Sequence, residues 1–200
     1  MKQPMNRRTA LKVVGGAPIL ATLVWAEPEV AEAHRKVAAV MAAGDGFAPK
    51  FFTSAEWKTV RVLSDLIIPR DKRSGSATDV GVPEFIDFMM IDQPDNQPAM
   101  RAGLAWLDAE SQRRFGTVFS DAAFAQHAAI LNDLAWPARA PASLKDGVAF
   151  FISFRNLVLT GFWTSKAGIH DLQYTGNTFV PHWDGCPPAA LKKLGVSYDD

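Results

Sequence analysis

The chain has 200 residues, a single cysteine, and formal charges that cancel at 21 Lys+Arg against 21 Asp+Glu. One cysteine excludes an internal disulfide framework and any multi-cysteine zinc or iron–sulfur site, and no Cys-x-x-Cys-His is present to attach haem. No basic excess is available to neutralise a phosphate backbone, which argues against nucleic acid as a partner.

Arg7 and Arg8 stand before Thr9-Ala10-Leu11-Lys12 and an uncharged run from Val13 to Ala26. This reads as a twin-arginine (Tat) export signal, the address of proteins that cross already folded, with Arg7, Arg8, Leu11 and Lys12 as its core. Ala10 occupies the place where a large apolar residue is usual. The run is shorter than the roughly 20 residues a spanning helix needs. Ala31-Glu32-Ala33 supplies a small-x-small cleavage pattern, so residues 1–33 read as the signal peptide and the mature chain as starting near His34. The expected location is the periplasm. The leader takes Lys2, Arg7, Arg8 and Lys12 from the basic total and Glu27, Glu29 and Glu32 from the acidic one, leaving 17 against 18.

Residues 34–52 read as a mobile lead-in, and 53–200 as one helical domain. Thr53-Ser54-Ala55-Glu56 fits a capping box, after which Trp57, Val60, Leu63, Leu66 and Ile67 recur at helical spacing until Pro69. A polar loop from Asp71 to Gly81 follows. Pro83 suits the first turn of a second helix with Phe85, Ile86, Met89 and Met90 on its apolar face. A third helix is predicted over Gln97–Phe115, with Met100, Leu104, Leu107 and Phe115 inward. Ser120 or Asp121 is the expected cap of a fourth, which carries Phe124, Ala128, Leu131 and Leu134 before Pro137.

The fifth, from Asp146 to about Phe162, is apolar nearly all round and so reads as the buried centre of a bundle. Beyond Gly161 no clear period remains. No strand alternation is found anywhere. The prediction is an all-α, compact bundle of about five helices with a long irregular C-terminal segment.

No reactive constellation is recognisable. His34, His127, His170 and His182 include no pair at metal-ligand spacing on one helix face. His170 and His182 with nearby carboxylates are the least remote metal candidate, and loop hydrogen bonding is the simpler reading. His127 reads as a helix boundary residue. Asp65, Asp71, Asp79 and Asp87 are explained by capping and solvation as well as by any carboxylate pair. Arg155, inside an apolar helix, suits buried carbonyls or a carboxylate such as Asp65 or Asp87. Cys186 has two readings, an inert buried thiol or half of a bridge to another chain. An exported bundle without its own chemistry suggests an escort for an enzyme that bears a cofactor. Two other readings are an exported metal-dependent enzyme using the tail histidines and a free-standing sugar-binding protein.

Two strings carry a family resemblance. Leu63-Ser64-Asp65-Leu66-Ile67-Ile68-Pro69-Arg70-Asp71, with Ser76-Ala77-Thr78-Asp79-Val80-Gly81-Val82-Pro83-Glu84-Phe85-Ile86-Asp87, resembles the first half of the gluconate 2-dehydrogenase subunit 3 family. Phe154-Arg155-Asn156-Leu157-Val158-Leu159-Thr160-Gly161-Phe162-Trp163-Thr164-Ser165, then Gly168 and Asp184-Gly185-Cys186-Pro187, is similar to its second half. The resemblance implies a non-catalytic small subunit in a hetero-oligomer. Its partner would be an FAD-containing large subunit of the glucose–methanol–choline (GMC) type that oxidises a sugar or polyol, with a haem-bearing c-type cytochrome as electron acceptor. This chain would hold no cofactor itself. The same resemblance makes Cys186 an interchain disulfide candidate. Phe162, Trp163, Tyr174 and Trp183 are the partner-interface candidates, because large aromatics dominate interface centres.

Overall fold

The computed structural model describes residues 27–43, 47–174, 181–182 and 185–198. Arg7, Arg8, Leu11, Lys12 and Trp183 lie outside the described residues. Eight α-helices occur among them: α1 Glu27–Ala43, α2 Ser54–Ile67, α3 Val82–Asp92, α4 Gln97–Phe115, α5 Phe124–Ala135, α6 Lys145–Trp163, α7 Lys166–Asp171 and α8 Pro188–Leu194. No strand is present among the described residues, and the all-α expectation is met.

The capping box forms as the sequence implies. Thr53 Oγ1 accepts from the Glu56 amide, and Glu56 reaches back to the Thr53 amide at 2.8 Å. The apolar helix α6 is the hub, touching α2, α3, α4, α5 and α7. Its nearly continuous apolar surface makes this possible, since neighbours approach from several sides at once. Phe151, Phe154, Leu157, Val158 and Phe162 enter one core with Val60 and Leu63 from α2 and Phe85, Ile86, Met89 and Met90 from α3.

Helices α4 and α6 cross where each places an aromatic ring over a glycine of the other. A Cβ on Gly103 would stand 1.8 Å from Phe150, and one on Gly147 would stand 2.1 Å from Trp106. The contact pairing, 103 with 150 and 106 with 147, makes the two helices antiparallel. Gly103→Ala should therefore destabilise the fold by about 1–3 kcal/mol, although alanine is the better helix former by roughly 1 kcal/mol. The clash involves the root of the Phe150 ring, Cγ and Cδ2, which cannot swing aside without changing rotamer. Gly147→Ala meets only the far edge of Trp106 and should cost less. Urea unfolding of the two variants compares these values, and equal stability for Gly103→Ala would refute the close crossing.

Three expectations are corrected. The stretch read as a mobile lead-in is largely ordered. Helix α1 covers its first part and buries Val30, Ala33 and Val37 against α3. That stripe of small residues gives a weak periodic signal, yet each valine still contributes about 1.5 kcal/mol on burial. Residues 47–53 are then tied down at several points. Phe47 packs on Trp57 and Phe88, and Arg101 donates to the Phe51 carbonyl at 2.9 Å while lying over its ring.

The fourth predicted helix starts later than Ser120 or Asp121, which form a short 3-10 turn instead. Ala123 is the cap residue, with its amide donating to Gln126 Oε1 at 2.8 Å. The buried stripe of this helix is His127, Ile130 and Leu134, leaving Phe124 76% exposed. His127 is thus a core residue. Its Nε2 lies 2.7 Å from the Phe119 carbonyl, and its ring packs on Phe119 at 4.5 Å. Finally, the stretch after Gly161 contains helix α7, capped by Ser165.

Candidate subunit interface

Three carboxylates shape the loop between α2 and α3, and a fourth pins the segment ahead of α2. Asp65 accepts from the Thr78 amide at 2.8 Å and its hydroxyl at 2.6 Å. Asp71 takes the amides of Arg73 and Ser74, and Asp79 takes that of Ser76 while pairing with Arg70. These backbone donors are the main reason both Asp71 and Asp79 are held below the ordinary aspartate range. Asp87 is fully buried and accepts the amides of Lys50, Phe51 and Phe52 at 2.9, 3.0 and 3.2 Å. Arg155 pairs with neither Asp65 nor Asp87, since backbone and hydroxyl donors already occupy them; its Nε is buried without a hydrogen bond. Glu84 is the other buried carboxylate of α3. Burial pushes its pKa up, and Arg61 at 3.8 Å offsets this only in part.

Glu110 is the most strongly perturbed acid. The hydrogen bond from Arg113, opposed by burial and assisted by Arg114, lowers its pKa from 4.5 to about 2. A depressed carboxyl pKa stabilises the fold above the unfolded-state value, and the gain disappears as pH falls. Stability should therefore drop between pH 4.5 and about 2 by roughly 1–2 kcal/mol from this group, discounted because Arg113 faces solvent. Glu110→Gln should flatten that part of the acid-unfolding curve, and an unchanged slope would refute the assignment.

Exposed apolar side chains occur at Ile91 in α3, at Phe124 and Trp136 at the two ends of α5, and as a close-spaced set on α7 and the segment after it. Ile169, Leu172 and Tyr174 are exposed, Tyr174 at 59%. With Arg73, His170, Asp171 and Gln173, two of them (Ile169 and Tyr174) border an open recess of about 520 Å³. Arg73 anchors α7 to the α2–α3 loop, its Nε 3.0 Å from Asp171 Oδ1 and its Nη2 bonded to the Asp171 carbonyl. Trp163 is half-buried beside Phe162, whose ring centroid is 4.9 Å away. Phe162 itself is only 1% exposed and belongs to the core, so of the three described aromatic candidates Tyr174 is the freely presented one.

Farther on, Cys186 is a free, exposed thiol. Its backbone amide donates to Tyr198 Oη at 2.6 Å, which closes residues 185–198 into a small loop around α8. Leu194, Val196 and Tyr198 are also exposed. A separate apolar groove of about 500 Å³ runs between α4 and α6 beside Gly103, Trp106 and Phe150. Among the described residues, no three His, Cys, Asp or Glu side chains are grouped to hold a metal ion, and no helix is long and apolar enough to cross a membrane.

The family model described as gluconate 2-dehydrogenase subunit 3 matches residues 54–185, well over half of the chain. The chain belongs to the gluconate 2-dehydrogenase subunit 3 family. It is thereby a small subunit of a dehydrogenase complex. The matched span of this subunit 3 chain runs from α2 through α7, so the bundle and the α7 surface both fall within it. Cys186 lies one residue beyond. No curated protein and no solved structure matches the chain.

Sequence reasoning singled out Tyr174 and Cys186, both exposed in the structure, and passed over the exposed Ile169 and Leu172. Their spacing of three was the available signal, obscured by a helix of only six residues.

Proposed function

We propose that this chain is the non-catalytic escort of an FAD-dependent, GMC-type sugar or polyol dehydrogenase. It assists folding of the flavoprotein and carries it to the periplasm on a twin-arginine signal. A c-type cytochrome takes the electrons. The observation that carries this reading is an exposed apolar surface at α7 (Ile169, Leu172, Tyr174), on a chain whose family is a dehydrogenase subunit. Exposed apolar side chains grouped in this way favour a protein partner. The exposed thiol of Cys186 suits a covalent tether to that partner.

Co-expression with a GMC-type flavoprotein from the same source tests the proposal. Affinity capture through this chain should bring down a yellow partner from the periplasm. Without this chain the partner should remain cytoplasmic or insoluble. Normal export of the flavoprotein alone would overturn the escort role. Cys186→Ser should remove the higher-mass species from a non-reducing gel while leaving noncovalent capture in place, and an unchanged gel would refute the tether. Bound metal with intrinsic turnover, or a monomer with a saturable sugar, would favour the two other readings instead.

A further inference from the structure

The Ala31-Glu32-Ala33 string reads as a leader-peptidase site, yet the structure places it inside α1. Ala33 is 4% exposed, packed with Val30 and Val37 against α3. His34, the residue after the expected cut, stacks on the Phe85 ring at 4.9 Å with 18° between planes. Its Nε2 lies 2.6 Å from Thr164 Oγ1 at the end of α6. Thr164 gives its own proton to the Thr160 carbonyl, so His34 is the donor. Glu29 accepts a hydrogen bond from Gln93 at the end of α3. The bond between residues 33 and 34 is therefore clamped from both sides by two other helices.

A peptidase needs the residues around its target bond unwound and accessible, so cleavage here requires local opening of α1. On a route that exports folded chains, the processing enzyme meets the docked helix rather than an extended leader. We infer that α1 is a permanent element of the exported subunit and withholds the Ala33–His34 bond from processing. The exported chain keeps Glu27–Ala43, and any trimming of the leader falls upstream of it. The inference rests on the export reading above.

Amino-terminal sequencing of the subunit recovered from the periplasmic complex is the direct test. A first residue at or before Glu27 supports the inference, and a first residue of His34 overturns it. Val37→Asp should undock α1 and raise the rate of cleavage after Ala33 by purified leader peptidase at least about tenfold. An unchanged rate in the folded variant counts against it.

Hydrogen exchange on the unaltered full-length chain decides the matter even if that variant fails to fold. Amides from Arg35 to Val40 should be protected by about a hundredfold or more, and unprotected exchange overturns the inference. Replacing Arg7 and Arg8 with lysine separates the two ideas. Continued export would refute the twin-arginine reading, while the exchange result stands on its own for α1.

Discussion

Asp87→Ala is expected to lower the unfolding free energy by about 3–5 kcal/mol, the largest single-site effect in this subunit. The carboxylate is fully buried and accepts from three consecutive amides, those of Lys50, Phe51 and Phe52. Removing it leaves orphaned donors beneath the packed rings of Phe51 and Phe52. A methyl group also fails to fill the space vacated. Asp87→Asn should cost less, about 1–2 kcal/mol. It retains an oxygen for Phe51 and Phe52 but turns an amide NH₂ toward the Lys50 N–H. Urea unfolding with the m-value held constant gives both numbers. A loss under about 1 kcal/mol for the alanine variant would show that residues 50–52 are not held from α3.

The second large effect is expected at Gly168. A Cβ there would stand 2.0 Å from the Phe162 carbonyl oxygen and 2.9 Å from the Trp163 Cα, both backbone atoms that cannot rotate away. The contact exists because Ser165 folds the chain sharply. Its hydroxyl donates to the Phe162 carbonyl at 2.7 Å and accepts from the Gly168 amide at 3.1 Å. Gly168→Ala should cost about 2–4 kcal/mol, paid mainly by lifting α7 away from α6. Ile169, Leu172 and Tyr174 would move with it, so capture of the dehydrogenase partner should weaken in parallel. Lys166→Ala, at an exposed position of the same helix, is the control and should change stability by no more than about 0.5 kcal/mol. Equal behaviour of the two variants would refute the tight turn.

Much of the bundle was legible in the sequence because its helices carry strong local signals. Thr53 and Glu56 announce a start, Pro83 another, and the apolar run of α6 has no place except the centre. What escaped was set by contacts distant in sequence. The buried face of α5 is set by its packing in the bundle, where His127 turns inward to bond the Phe119 carbonyl and Phe124 is left outside. The docking of α1 depends on a groove supplied by α3, invisible to a reading of Val30, Ala33 and Val37 alone. The exposed apolar surface was half legible. Large aromatics drew attention to this region, but size cannot tell a ring that fills the core, such as Phe162, from one left outside, such as Tyr174.

The four aspartates between α2 and the middle of α3 bear on what the family signature means. Asp65, Asp71, Asp79 and Asp87 each accept backbone amides, so each specifies a path for the polypeptide. Together they set where the polypeptide turns between α2 and α3 and where the segment ahead of α2 is pinned, so this string acts as a folding template for the bundle.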